Sequence, residues 1–256
     1  MKSTLTVMAP IMAEFGRWLQ GQTPGHGSVR ATVLHHTWLP TAGMFRGRST
    51  IEGIRDYHKS RGWSDIGANA YACPDGTVIT GRPLSAGNWS HALVSRSNVE
   101  AEAKALAGND KLFFNHYGFG LETVANFDEE PIHSGPSGVS YETALRVMTV
   151  VHTVYRLPAN RLFFHRDVAD KSCPGSHVHR ADFRAELERR LRGAIMADID
   201  EWAKANVERA IQEQFMSRGA DGRFRGQENV TRQELATVIM RITDKVRQEL
   251  RIAVRG

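Results

Sequence analysis

The sequence predicts an α/β fold, in which a central mixed β-sheet is flanked by helices and followed by a small helical unit. Short β-branched, apolar segments alternate with amphipathic segments up to about residue 175. Beyond Pro174 and Gly175 there is no strand pattern, and segments of helical spacing rich in Arg and Glu follow. We therefore expect a larger domain at residues 1–192 and a helical unit at residues 193–256.

Composition is that of an ordinary globular protein. The 256 residues are 41% apolar and 24% charged, which argues against a disordered or disulfide-stapled chain. No segment reaches the roughly 18 uninterrupted apolar residues of a membrane span. The net charge of +5 suits nucleic acid, an anionic membrane or an anionic wall polymer, and does not choose among them.

The first residues contain a short apolar stretch that must be compared with a signal peptide. Threonines and Pro10 interrupt this stretch, Glu14 ends it, and no small-residue cleavage site follows. We interpret the segment as the first helix of the folded protein.

Five strands are predicted from short apolar runs. The run ATVLHH begins at Ala31, and two short strands meet at a turn formed by Asp75 and Gly76. The stretch from Tyr117 to Phe127 and the run NRLFFH, which ends at His165, complete the set.

Two amphipathic helices lie between these strands. The first covers residues 49–63, where Ser49 and Thr50 are candidate N-caps. The second runs from Ser140 to Leu157 and is ended by Pro158.

His35 and His165 each end a predicted strand, and Cys173 follows His165 within one short loop. Two imidazoles and a thiolate can hold Zn²⁺ tetrahedrally and leave the fourth position for water. The alternative is that each is an ordinary buried or surface residue, and spacing alone leaves both interpretations open. The only other cysteine, Cys73, would then be a small buried side chain, although a single disulfide is also compatible with the count.

Five segments together resemble the successive motifs of the zinc-dependent N-acetylmuramoyl-L-alanine amidases, a family that includes phage endolysins and peptidoglycan-recognition proteins. The segments are VLHHT, RGWSDIG, DGTVITGRP, SHA and FFHRDVADKSCPG. The resemblance covers about Val33 to Gly175 and is most specific around His165.

This resemblance implies that His35, His165 and Cys173 are the Zn²⁺ ligands, and that His36 points away from the metal. It also implies that Lys171 supports the negative charge that develops on the scissile carbonyl oxygen. The alternative for Lys171 is a solvated lysine on a loop.

The chain departs from the family pattern at a catalytic position. Many members carry a tyrosine followed by a histidine where this chain has Ala68 and Asn69. Strand alternation would place Tyr71 on the face opposite to position 68, so we do not expect Tyr71 to replace the missing tyrosine.

We expect Glu122 to move protons instead, because a subset of the family carries a catalytic glutamate in a similar strand, and a carboxylate in an apolar strand is costly unless it is paired or functional. The alternative is that Glu122 faces solvent on an edge strand. His91 matches a family position near the substrate groove, where it either contacts substrate or braces a loop, and we also expect Asn69 to contact substrate.

The C-terminal unit resembles a single S-layer homology motif between Trp202 and Arg241. Its residues Thr231, Arg232 and Glu234 would bind an anionic secondary cell-wall polymer. Thr231 and Glu234 also satisfy a plain capping box, so a helical packing or oligomerisation element is the alternative.

The expected function is hydrolysis of the amide bond between N-acetylmuramic acid and the first L-alanine of the peptidoglycan stem peptide, by a zinc-activated water. We expect bacterial peptidoglycan as the partner and no nucleic acid. Absence of a signal sequence predicts a phage lytic protein that is made in the host cytoplasm and acts on the wall after release. The alternatives are an inactive peptidoglycan-binding protein and an amidase of muropeptide recycling.

Overall fold

The computed structural model describes residues 4–8, 11–89 and 100–196. The chain divides into two compact units, Met1–Leu191 and Arg192–Gly256. The strands are β1 Val7–Met8, β2 Ala31–His36, β3 Ala70–Ala72, β4 Val78–Thr80, β5 Gly118–Thr123 and β6 Leu162–Phe164. The helices are α1 Ile11–Gln20, α2 Arg48–Ser60, α3 Ala101–Ala107, α4 Phe113–Tyr117, α5 Gly135–Tyr155, α6 His165–Val168 and α7 Arg180–Met196.

The six strands form one mixed sheet in the order β1-β4-β3-β5-β2-β6. Four strands, β3, β5, β2 and β6, are parallel to one another. At one side of the sheet, β4 pairs antiparallel with β3, and β1 pairs antiparallel with β4. The predicted mixed sheet flanked by helices is therefore confirmed. Because β5 lies between β3 and β2, none of its residues is on a sheet edge.

One face of the sheet packs against α1, α5 and α7. Leu34 and Phe119 point to this face, where they meet Phe15 of α1 and Val151 of α5 in the largest apolar cluster. All four side chains are completely buried. Burying this much apolar surface is the main stabilisation of the domain.

The opposite face is covered by two smaller apolar clusters. Val33 packs with residues of α3 and α4, including Phe114. Tyr71 and Ile79 pack with Ile51 of α2. The carboxyl ends of β2 and β5 open onto this same face, which is where open α/β sheets commonly place ligands.

The structure corrects three details of the prediction. A short strand, β1, precedes the first helix and pairs with β4. Helix α2 has Gly47 as its N-cap, so Ser49 and Thr50 are not caps; they lie inside the first turn, where their hydroxyl groups bond the Arg46 backbone. His165 does not end a strand but opens α6, directly after β6.

Among the described helices, none is both long enough and apolar enough to cross a membrane. The helical segments that the sequence predicts after residue 196 lie outside the described residues.

Gly118 is the first residue of β5 and directly follows the last residue of α4. A Cβ atom at this position would lie 2.2 Å from the carbonyl oxygen of Phe114, a backbone atom that cannot move aside cheaply. Gly53, in α2, has open space around the equivalent atom. The close approach of α4 to β5 therefore requires glycine at position 118.

We expect Gly118→Ala to lower the free energy of unfolding by about 1–3 kcal/mol, because the added methyl group forces the backbone apart. Gly53→Ala is the matched control, and we expect it to raise this free energy by about 0.5–1 kcal/mol through better helix propensity. Urea unfolding of both variants measures the difference, and equal midpoints would contradict the packing described for Gly118.

Candidate metal centre

His35, His165 and Cys173 converge at the carboxyl ends of β2 and β6. One ligand atom from each residue lies within 4.8 Å of the other two, and this is the one such group in the part of the chain that the structure describes. Cys173 Sγ is 3.7 Å from His35 Nδ1, and the two imidazole rings are 4.4 Å apart between centroids. Ordinary Zn–S and Zn–N bond lengths place a sulfur and a nitrogen about 3.6 Å apart on a tetrahedral ion. The arrangement therefore fits Zn²⁺.

Strand β2 positions the first histidine and turns its neighbour away. His35 is in register with Glu122 of β5, whereas His36 faces the other side of the sheet, where its Nδ1 accepts a hydrogen bond from the Phe127 N–H at 3.0 Å. Burial lowers the pKa of His36 to about 4, so this ring is neutral at neutral pH. The backbone of His36 contacts the site instead, because its N–H donates a hydrogen bond to Cys173 Sγ at 3.4 Å.

The other two ligands belong to one loop that Arg166 holds closed. The Arg166 backbone N–H donates to the carbonyl oxygen of Cys173, and its guanidinium donates to the carbonyl oxygens of Gly175 and Val178. These bonds fix the distance between the two ends of the loop. Cys173 is thereby held near His165.

Asp167 and Gly175 attach the same loop to its surroundings. The Asp167 carboxylate accepts from the Phe164 N–H at 2.7 Å and pairs with Arg180 at 3.0 Å. Gly175 has φ +107° and lies against Phe127, where a Cβ would come within 2.5 Å of the backbone. Only glycine satisfies both the positive φ and the close contact.

The electrostatics of two of the three ligands favour a bound cation. Burial, together with Lys171, lowers the pKa of His165 to about 4, which keeps this imidazole in the neutral form that binds metals. Burial and the Glu122 carboxyl raise the pKa of Cys173 well above its usual value. A divalent ion would supply the positive charge that the thiolate needs, so the donor set matches the chemistry of zinc.

Glu122 lies beside these ligands in the middle of the sheet. It pairs with His35 on one side and with Tyr71 on the other, so the three side chains stand in a row on one face. Its side chain keeps part of its surface accessible. Burial raises the pKa of Glu122 to about 8. Because β5 lies inside the sheet, the alternative that Glu122 faces solvent on an edge strand is wrong.

The remaining predicted site residues are placed as follows. Lys171 is exposed, and its charge acts on His165 across the ligand loop. His91 and the wall-polymer residues Thr231, Arg232 and Glu234 lie outside the described residues.

Asn69 is completely buried and its amide is used within the protein. Its oxygen accepts from the Gly120 N–H, and its nitrogen donates to the carbonyl oxygens of Arg82 and Gly87. We therefore assign Asn69 a structural role in place of the predicted contact with substrate.

Sequence reasoning missed the residues that hold the site rather than those that form it. The arginine and aspartate of the HRD segment could have been suspected, because each charge lies next to a predicted ligand in a short loop. The position of Tyr71 could not have been found by strand alternation, since residues 67–69 form a bend and β3 begins only at Ala70. The face of Tyr71 is set by its register with Glu122.

Comparison with known proteins agrees with this site. The sequence profile of the N-acetylmuramoyl-L-alanine amidase family matches residues 25–176, and the S-layer homology domain profile matches residues 196–236. The first match covers more than half of the chain and includes all three candidate ligands and Glu122. The chain therefore belongs to the N-acetylmuramoyl-L-alanine amidase family.

Individual relatives are distant. Peptidoglycan-recognition protein SC1a of Drosophila melanogaster is 26% identical over 65% of this chain and 79% of its own length. The endolysin of Enterobacteria phage T3 is 27% identical over 56% of this chain and 81% of its own. The solved endolysin amidase LysCS of Clostridium intestinale is 26% identical, covers 64% of this chain and 86% of its own, and superimposes with a TM-score of 0.46.

The raised pKa of Glu122 gives a testable pH dependence of stability in the metal-free protein. In the unfolded chain a glutamate ionises near pH 4.5, whereas the folded carboxyl keeps its proton until about pH 8. The folded state therefore loses stability as pH rises from 4.5 to 8.

We expect Glu122→Gln to remove this loss. The variant should match the wild type near pH 4 and exceed its free energy of unfolding by about 1–3 kcal/mol at pH 8, after allowance for partial solvent access. Urea unfolding at both pH values measures this, with the exposed Glu129→Gln as the control. A pH-independent difference between variant and wild type would show that Glu122 is not a protonated buried acid.

Proposed function

We propose that this protein is a zinc-dependent amidase that hydrolyses the bond between N-acetylmuramic acid and the first L-alanine of the stem peptide. The observation that carries the proposal is the convergence of His35, His165 and Cys173 beside the partly buried carboxyl of Glu122. Membership of the family agrees with it. Its substrate is bacterial peptidoglycan.

Zinc bound by these three residues would polarise the scissile carbonyl and acidify a water molecule. Beside the charge of that ion Glu122 would ionise, whereas without metal it keeps its proton until about pH 8. The carboxylate then accepts a proton from the attacking water as the water oxygen bonds to the carbonyl carbon. When the C–N bond breaks, Glu122 returns that proton to the leaving nitrogen. The second water proton, left on the new carboxyl group, passes to the amine as the products separate, so that the lactyl group leaves as a carboxylate and the peptide leaves with a protonated N-terminal alanine. A pKa raised by burial suits a group that must both accept and donate a proton.

Lys171 would serve a different purpose in this reaction. Its loop lies between the two ligands His165 and Cys173, and its charge is felt at His165. From there the ammonium group would stabilise the negative charge that grows on the carbonyl oxygen during attack.

The complete ligand set favours a hydrolase over an inactive peptidoglycan-binding protein. A protein that only binds peptidoglycan needs neither a third metal ligand nor a buried carboxyl beside it. Here both are present, in Cys173 and Glu122. An amidase that acts on soluble muropeptides shares the site and differs in substrate size.

We propose further that the C-terminal unit binds an anionic secondary cell-wall polymer and so retains the enzyme at the wall. The match of residues 196–236 to the S-layer homology domain and the positive net charge support this idea. The setting we propose is a phage lytic protein that is made in the host cytoplasm and reaches the wall after release.

Purified peptidoglycan tests the reaction directly. We expect the zinc-loaded protein to release new N-terminal alanine without new reducing sugar ends. We expect Glu122→Ala to lower kcat by about 10²–10⁴-fold and Lys171→Ala by about 10²–10³-fold. The exposed Lys111→Ala is the control for the lysine and should cleave at the wild-type rate. New reducing ends in the wild-type digest would identify a glycosidase and refute the proposal.

Removal of residues 197–256 tests the role of the C-terminal unit. We expect the shortened protein to sediment less with isolated cell walls and to keep its rate on small soluble muropeptides, because the ligands all lie before that segment. Unchanged sedimentation would contradict wall attachment by this unit.

A further inference from the structure

Tyr71 lies beside the candidate metal centre and has no role in the proposed reaction. It is the central residue of β3 and pairs in register with Glu122, which pairs in turn with His35. Residues in register across a parallel sheet point to the same face and are close neighbours. Tyr71, Glu122 and the metal ligand His35 therefore form one continuous row.

The Tyr71 hydroxyl is buried, and its nearest polar neighbour in the backbone is the Ala68 N–H. The side chain is completely inaccessible, and its oxygen makes no hydrogen bond of ordinary length and angle. Burial and the neighbouring Glu122 carboxyl raise the pKa of Tyr71 well above its usual value, so the hydroxyl keeps its proton and remains a donor. A phenylalanine would fill the same space without an unsatisfied polar group, and for that reason the hydroxyl requires an explanation.

The surrounding residues make room for the phenol ring. Ala68, which stands where many relatives carry a tyrosine, packs in the same apolar cluster as Tyr71. Gly81 lies against the ring, and a Cβ at that position would come 3.1 Å from the Tyr71 ring carbon Cε2. Two small residues thus accommodate one large aromatic side chain beside Glu122.

We propose that Tyr71 is a positioning residue for Glu122. The Glu122 carboxyl group, which keeps part of its surface accessible, turns toward this hydroxyl, accepts its hydrogen bond and is thereby oriented toward the attacking water. This inference rests on the proposed function, because it assigns Glu122 the proton transfer. Tyr71 itself touches neither substrate nor metal.

Tyr71→Phe removes the hydroxyl and keeps the ring. We expect kcat to fall about tenfold, as is usual when an outer partner of a catalytic group is lost. We expect KM and zinc content to stay unchanged. In the metal-free protein the urea midpoint should be equal to or above that of the wild type, since an unpaired buried hydroxyl has been removed. Tyr141→Phe, at a buried tyrosine on the opposite face of the sheet, is the matched control and should keep the wild-type kcat.

A double-mutant comparison tests whether Tyr71 acts through Glu122. In a Glu122→Gln background, we expect Tyr71→Phe to cause no further loss of kcat, because the group it orients is already disabled. A spectroscopic readout is independent of activity: at pH 5, Tyr71→Phe should shift the infrared carbonyl stretch of the protonated Glu122, a band identified by its absence in Glu122→Gln.

Several results would overturn the inference. These are a wild-type kcat in Tyr71→Phe, a full tenfold loss that persists in the Glu122→Gln background, or a loss of activity that is matched by a lower unfolding midpoint. If the wild type releases no alanine, the proposed function fails. In that case an unshifted infrared band refutes the contact with Glu122 as well, whereas a shifted band keeps the contact and removes only its catalytic purpose.

Discussion

The parallel register between β2 and β5 is the constraint on which the site depends. It puts His35 opposite Glu122, and the pairing of β5 with β3 extends the row to Tyr71. A shift of one residue would send these side chains to the face packed against α5, where Leu34 and Leu121 now lie. The apolar alternation that builds the core therefore also fixes which polar side chains meet.

A second constraint brings the other two ligands to this row. The segment after β6 is too short to form a stable element by itself, and Arg166 and Asp167 hold it by hydrogen bonds to backbone groups. The result is a group of buried polar side chains whose pKa values are displaced in the directions that disfavour charge. Such a group lowers the stability of the metal-free protein, and a bound divalent ion would relieve part of that cost.

Much of this arrangement could be predicted from the sequence, because strand ends and ligand types are local features. Strand ends and ligand types made His35, His165 and Cys173 candidates, but spacing alone left their role open, and the resemblance to the amidase family selected them. The hydrogen bonds that hold the site in place could not be predicted from the sequence. Those of Arg166 and Asn69 join residues that are far apart in the chain or follow no periodic pattern. Tyr71 was excluded by an argument about alternation that fails where the chain bends before β3. Sequence patterns indicate which face a residue takes only within a regular strand.

X-ray absorption at the zinc edge would show whether His35, His165 and Cys173 hold one zinc ion. We expect a zinc ion with one sulfur neighbour at about 2.3 Å and two imidazole nitrogens at about 2.0 Å, completed by an oxygen ligand. Cys173→Ser should remove the sulfur contribution, while Cys73→Ser should leave it in place. A wild-type spectrum with no sulfur neighbour, or with imidazole signals that survive in a His35→Ala, His165→Ala variant, would contradict the convergence of these three residues on one metal ion.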